Sequence, residues 1–386
     1  MNVVFLSPHF PPWYYLFCVR LKETGANVLG IADEPYEALR PELKTALTEY
    51  FRVADMHHYD ELVRALGYFT FKYGKIHRLD SLNEYWLETE AMLRTDFNIP
   101  GIDLGGIAHV KRKSEMKRLF MEAGLKVARG KVAQTAAEAA AFVAEVGYPV
   151  VAKPDVGVGA AKTYKITNDE ELAEYLVSKP PVDYIIEEFV SGTIVTYDGL
   201  TDREGKVVFA STMIYSTGVM ESVNQGLDIW YYIPREMPSD LDEAGKAVVK
   251  AFGVRERPFH FEFFRQADGG LVALEVNMRP PGGFTIDMFN YANDMDFYKE
   301  WANILVHGRF EAAITRPYNC AFISRKDHKR YAIPHEEILR RYGHLIVHHA
   351  RINDVFAAAI GNYGYILRCP DLAPIEEAAA AIHLPA

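Results

Sequence analysis

The chain has 386 residues, 49% of them hydrophobic, 24% charged and 13% aromatic, an ordinary globular composition that excludes disordered, collagen-like and coiled-coil classes and predicts two or three domains at about 150 residues each. Lys and Arg number 42 against 52 Asp and Glu, a net charge of −10; this excludes a dedicated nucleic-acid binder, which needs a basic surface, but leaves room for a local basic pocket around one small phosphate ligand. Cys18, Cys320 and Cys369 are too few and too dispersed for a disulfide framework or a cysteine zinc site, the start of the chain lacks a signal-peptide pattern, and no run approaches the ~18–20 apolar residues of a membrane span, so the expectation is a cytoplasmic protein with no membrane partner.

Residues 2–6 form a short apolar run ending at Ser7-Pro8-His9, read as a buried strand and loop. A helix over 13–24, a strand over 28–31, helices over 36–47 and 59–72 with a strand at 50–53 between them, a strand at 75–79 and a helix at 83–95 follow. This alternation predicts an open parallel sheet. No Gly-x-Gly-x-x-Gly follows the first strand, so a dinucleotide site there is unsupported. Asn98-Ile99-Pro100-Gly101 breaks the pattern. A helix then opens in Lys111-Arg112-Lys113-Ser114, with Ser114 as its expected cap. Strands near 128–132, 148–153, 162–166 and 183–187 and helices at 136–146 and 170–178 make a small α+β module. From Val190, strands at 193–200, 206–215, 228–233, 258–265 and 271–276, with one helix at 239–252, predict an antiparallel sheet. The tail adds short strands and helices near 335–341 and 374–382. The expected modules are therefore 1–110, 111–190 and 191–386.

Four stretches carry chemistry. Side chains alternate along a strand, so Glu275, Asn277 and Arg279 share a face, and the turn Asp268-Gly269-Gly270 puts Glu262 on the neighbouring strand facing the same way. Two carboxylates and an amide oxygen suit Mg²⁺, and the Arg279 fork suits a phosphate or carboxylate. Lys153 ends the apolar strand Tyr148-Pro149-Val150-Val151-Ala152, and a turn with Gly157 and Gly159 follows, a combination that suits phosphate oxygens. It is not a P-loop, because its spacing fails and a strand follows. Ile185-Ile186-Glu187-Glu188-Phe189-Val190 is a strand running into a turn, a hinge able to present backbone groups to a purine edge. Lys113, beside Lys111 and Arg112 at a helix start, calls for an anionic partner. The neighbouring pairs His57-His58 and His348-His349 point apart on any strand and form no metal site alone.

In this order the stretches resemble the ATP-grasp superfamily, and within it the carboxylate–amine ligases, over about residues 1–310. The resemblance implies an α/β fold of α+β modules: an N-terminal open parallel sheet, a small lid and a C-terminal antiparallel domain. It implies ATP and one or two Mg²⁺ as cofactors, with Mn²⁺ as an alternative ion. Lys113, Lys153, Gly157 and Gly159 would meet the phosphates, and Glu187, Glu188, Phe189 and Val190 the adenine, with Glu187 on its amino group. Glu262, Glu275 and Asn277 would bind the metal; Arg279, with backbone amides near Gly282 and Gly283, would serve the reacting carboxylate and its oxyanion. Arg112 departs from the family pattern by standing where an aspartate often precedes the first lysine. Ile194 departs by replacing a ribose-binding glutamate, for which Asp198 on the same strand is the expected substitute. The implied activity forms an acyl phosphate from a small carboxylate and joins it to an amine, releasing ADP and phosphate. A kinase and a catalytically impaired nucleotide-binding protein are the alternatives, and a homodimer is the expected assembly.

Overall fold

Asn2–Leu6 (β1) is apolar on both faces, as a central parallel strand must be. It pairs with Asn27–Ala32 (β2) and Arg78–Asp80 (β4), and β2 with Glu49–Arg52 (β3), all parallel in the order β3-β2-β1-β4. The computed structural model describes residues 1–157, 163–216 and 226–386. Val3 and Phe5 pack on the helix Tyr15–Glu23, while Val4 and Leu6 pack on the helix Tyr59–Tyr73. The helix expected over 36–47 is divided. Leu39 and Arg40 are extended before Pro41, which then starts a short helix to Ala46.

The middle module is an antiparallel sheet of Gly130–Val132 (β5), Val150–Pro154 (β6), Tyr164–Ile166 (β7) and Tyr184–Glu188 (β8), ordered β5-β8-β6-β7. The helices Ala136–Val146 and Asp169–Ser178 cover one face, burying Phe142, Val143, Leu172 and Tyr175 against Val150, Ala152 and Ile186. Thr135 and Asn168 cap them, each side chain accepting a backbone N–H of the first turn.

The third sheet contains Thr193–Thr201 (β9), Val207–Ser211 (β10), Ile214–Tyr215 (β11), Trp230–Ile233 (β12), Pro258–Arg265 (β13), Leu271–Asn277 (β14), Asn319–Arg325 (β15), Ile346–Arg351 (β16) and Tyr363–Cys369 (β17). Its order is β14-β13-β9-β11-β12-β15-β17-β16, with β10 also against β9. The strand expected over 206–215 is thus two. The tail strands complete this sheet.

Two departures matter for the site. The helix Lys113–Glu122, expected in the middle module, packs Met116 and Phe120 against Phe259, Phe261 and Phe263 of the third sheet. The helices Thr285–Asn293 and Phe297–His307 were not expected. Phe297, Tyr298, Trp301, Ala302, Ile304 and Leu305 are buried on nearly every side of the second, so it lacks the one-sided stripe that marks a surface helix. It packs on the first sheet, with the Trp301 ring 6.3 Å from Phe5 and 5.1 Å from Phe17. The short helix Asp354–Ile360 was also unexpected. No helix among the described residues is long and apolar enough to cross a membrane.

A buried charge network joins the first and third sheets. Arg257, at the start of β13, reaches Asp80 Oδ1 at 3.2 Å and Glu90 Oε2 at 3.3 Å. Its Nε donates to the Met278 carbonyl at 2.5 Å. Arg94 pairs with the same Glu90 at 2.8 Å. Burial opposes the charge on Arg257, but Asp80 and Glu90 hold its pKa up. Removing one member of such a network leaves buried charge uncompensated. Arg257→Met is therefore expected to lower unfolding stability by about 3–5 kcal/mol, read from the shift of the urea midpoint at unchanged slope.

Candidate functional site

The third sheet presents a polar face at one end. In register, His260 of β13 lies between Asp198 of β9 and Asn277 of β14, and Glu262 lies between Thr196 and Glu275. The expected grouping of Glu262, Glu275 and Asn277 on one face holds. Period-two alternation sends Phe259, Phe261 and Phe263 to the opposite, helix-covered face. A bulge between Glu262 and Phe263 accompanies this register.

The middle sheet closes over this face with its own charged side. Lys153 and Glu187 sit diagonally on β6 and β8, on the face away from the helices. Lys153 Nζ meets Glu187 Oε2 at 2.8 Å, and Lys117 Nζ meets Glu187 Oε1 at 2.7 Å. Glu187 thus bridges two buried lysines. Burial pushes the Glu187 pKa up, but the lysines overcome it and hold the carboxyl below its ordinary value. Burial pulls Lys153 down, while Glu187, Glu275 and Glu262 hold it up. Lys117 is lowered by burial, against the pull of Glu187. Sequence reasoning missed Lys117, although it lies four residues after Lys113 and so one helical turn along the same face.

Lys113 ties the two modules together. Its Nζ lies 3.1 Å from Glu275 Oε1 and donates to the Gly157 carbonyl at 3.3 Å. Ser114 is not the cap of this helix. Asp155, from the end of β6, accepts the Ser114 amide at 2.8 Å and its hydroxyl at 3.0 Å. Arg112 Nη1 pairs with the same carboxylate at 3.3 Å. An acid from another strand therefore serves the helix start where the family pattern led us to look for one in sequence.

Glu188 points to the opposite side of β8 from Glu187 and holds the Arg129 amide at 2.8 Å and its Nε at 2.7 Å. The Phe189 amide donates to the Pro149 carbonyl at 3.2 Å, and Lys165 Nζ stands 4.1 Å above its ring. Val190, the next residue, is half-buried. Gly159 lies outside the described residues. Asp198, expected at the ribose, is fully buried, with Thr196 Oγ1 on one oxygen and His260 Nδ1 2.6 Å from the other. It offers no exposed oxygen to a sugar. His260 Nε2 lies 3.1 Å from Glu262 Oε1, so a buried chain runs from Thr196 through Asp198 and His260 to Glu262.

Arg279 follows β14. It donates to the Pro280 carbonyl at 2.8 Å and reaches Asn277 Oδ1 at 3.4 Å. The Gly282 carbonyl accepts the Thr285 hydroxyl at 2.7 Å, which starts the helix Thr285–Asn293. Gly283 has φ +65°, and a Cβ there would lie 3.1 Å from Ile360 and 3.3 Å from the Tyr231 hydroxyl, so the turn requires glycine.

Glu262, Glu275 and Asn277 fit a hard divalent cation by their chemistry. They are oxygen donors on adjacent strands, and each carboxylate has one oxygen outside the contacts with His260 and Lys113. Burial raises the Glu262 carboxyl, but His260, Arg279 and Lys153 hold it below its ordinary value, so it stays anionic.

Residues 146–287 match the family model of the ATP-grasp domain. The chain is 22% identical over 252 residues to the L-arginine-specific L-amino acid ligase of Bacillus subtilis, covering 61% of this chain and 59% of that one. The chain spans about half the length of the curated relatives it matches. Among solved structures it resembles the L-amino acid ligase of Bacillus licheniformis, with TM-score 0.75, 16% identity and coverage of 98% of this chain and 95% of that one. It also resembles the biotin carboxylase domain dimer of the 2-oxoglutarate carboxylase of Hydrogenobacter thermophilus, solved with MgADP and bicarbonate, with TM-score 0.70, 17% identity and coverage of 100% and 90%. Residues 146–287 thus carry an ATP-grasp domain, and the chain shares its fold with these solved structures over nearly its whole length.

The buried His260 gives a pH signature. Burial lowers its pKa, but Asp198 and Glu262 overcome this and raise it from 6.5 to about 9. A raised folded-state value means that its contribution to stability is complete below about pH 6.5 and is lost as pH rises through about 9. Urea midpoints should fall across that window, by the equivalent of a few kcal/mol. His260→Gln should remove most of that pH dependence.

Proposed function

We propose that the chain, which carries an ATP-grasp domain over residues 146–287, is an ATP-dependent ligase that activates a small carboxylate as its acyl phosphate and joins it to an amine. The observation that carries the reading is the meeting of Lys113 of the connecting helix with Glu275 of β14 at 3.1 Å. That contact brings phosphate-type cations and metal-type acids to one cleft, with Lys153 and Arg279 at its borders. The names of the Bacillus relatives, both amino acid ligases, support the same class.

In this reading Lys113 and Lys153 bind the triphosphate, and Glu262, Glu275 and Asn277 hold Mg²⁺, with Mn²⁺ as the substitute ion. The metal supplies charge neutralisation on the phosphates when bound. Gly157 borders the phosphates, and the end of β8 with the turn after it, Glu187 to Val190, borders the base. Arg279 orients the substrate carboxylate, whose oxygen attacks the γ-phosphorus as the bond to the bridging oxygen breaks and ADP leaves. The amine nitrogen then attacks the acyl carbon, the carbon–oxygen bond to phosphate breaks, and the surplus ammonium proton passes to solvent. Arg279 and the amides of Gly282 and Gly283 face the oxyanion that forms. We extend the proposal to a homodimer, on the general frequency of twofold assemblies.

The ligase reading requires phosphate release that depends on both a carboxylate and an amine. A phosphorylated acid formed with no free phosphate would replace it with a kinase. Glu275→Gln should raise the Mg²⁺ needed for half-maximal ADP formation at least about tenfold, and an unchanged Mg²⁺ titration would remove the metal assignment. Lys153→Ala should weaken ATP binding about 10- to 100-fold, the loss of one charge-assisted contact. Calorimetry in the absence of other substrates would read that change.

A further inference from the structure

We propose that a second cavity, behind the Arg257 network, binds a small organic oxyanion of two negative charges, the chemistry shared by a phosphate monoester and a dicarboxylate. The inference does not depend on the ligase reading.

The cavity has a volume of about 530 Å³ and lies between the first and third modules, a size that suits a small molecule. Its first-module wall runs from β4 through Arg94 to residues 100–103 and His109, and its third-module wall is Arg203 with residues 251–257. Lys113, Lys153, Glu262, Glu275, Asn277 and Arg279 are not among its lining residues. In a chain of net charge −10, this wall holds five arginines, at 78, 94, 203, 255 and 257, against three acids, Asp80, Asp103 and Glu256. The acids are already engaged. Asp80 faces Arg257 at 3.2 Å and Arg94 at 3.5 Å. Glu256 is divided between Arg78 at 2.6 Å and Arg203 at 3.1 Å. Asp103 Oδ1 accepts the amides of Gly105 at 2.9 Å and Gly106 at 3.2 Å. Arg255 is exposed and has no acidic partner among the described residues.

Two donors on this wall lack acceptors. The Nε of Arg78 and the Nε of Arg94 are both buried without a hydrogen-bond partner, and the Arg94 side chain is only 1% exposed. Gly101, another lining residue, stands beside the Arg94 Nε, where a Cβ would come within 2.7 Å of it. The missing side chain leaves that space to an acceptor oxygen. Each buried N–H without an acceptor carries the cost of an unmade hydrogen bond, and the oxygens of a phosphate or carboxylate match the edge of a guanidinium. The rest of the wall is apolar, with Ile102, Val110, Phe252, Val254 and Leu305. It would cover the organic body of the ligand while the arginines hold its charge. A ligand there contacts both modules and so ties them together.

The test is calorimetric titration of the full chain, at fixed ionic strength, with phenyl phosphate, phenylsuccinate and inorganic phosphate. At least one of the two phenyl compounds should bind at a single site, and the tighter of them identifies the source of the charge. Inorganic phosphate should bind at least ~10-fold more weakly, because it has no ring for the apolar wall to cover. Arg203→Ser combined with Arg255→Ser, at the rim of the cavity, should weaken the phenyl compound at least ~10-fold by removing charge-assisted contacts. Titration of the wild-type chain in excess ADP and Mg²⁺ should leave the affinity unchanged, a comparison that stands even if the double variant folds poorly. No saturable binding of either phenyl compound overturns the site. Binding that is lost in ADP and Mg²⁺, or that survives the double variant and disappears in Lys153→Ala, belongs to the nucleotide cleft and also overturns it.

Discussion

Arg257 does for this fold what a covalent tie would do. Its guanidinium takes Asp80 and Glu90 from the first module, and its Nε takes the carbonyl of Met278, the residue between Asn277 and Arg279. The end of the metal-type strand is thus fixed relative to the carboxyl end of β4, where Glu84 begins its turn. Buried ion pairs are an expensive way to gain stability, since packed apolar residues of equal volume often do as well. What the charges add here is direction, because a guanidinium fork accepts its partners in a fixed plane.

The same economy governs the cleft. Lys113 is paired with Glu275, Lys117 and Lys153 with Glu187, and His260 with Asp198 and Glu262. The cations and acids that a nucleotide and its metal would use already neutralise each other, with their desolvation met on folding. In the proposed function, an incoming triphosphate with its counter-ion would exchange partners rather than introduce bare charge into a buried site. Preorganised polar groups of this kind need little rearrangement at the moment of reaction.

Much of this was legible in the sequence, for physical reasons. Alternation on β14 and the glycine turn before it predict Glu262 on the neighbouring strand facing the same side as Glu275, and the register pairs the two directly. The alternating pattern of the first hundred residues predicts the parallel sheet. What was not legible depends on contacts distant in sequence. Glu187 reads as a hinge acid, but Lys117, 70 positions earlier, and Lys153 close on it from two elements. Asp198 reads as the substitute for a ribose-binding acid until His260 pairs with it across the register. Helix Phe297–His307 is buried on nearly all sides, and its buried Glu300 and Asn303 interrupt the apolar stripe by which a helix is read from sequence.

The enclosure of Trp301 by Phe5 and Phe17 also bears on how the chain is made. The first sheet has its own strands and helices by residue 100, yet one of its faces is finished by side chains about 200 positions later. During synthesis that face remains open until the segment through Leu305 has left the ribosome, since domains fold as their residues become available. The amino-terminal module is therefore complete in topology early and complete in packing late. A cut between the modules would leave aromatic surface on both pieces, so the chain behaves as one inheritable unit even though its sheets are three.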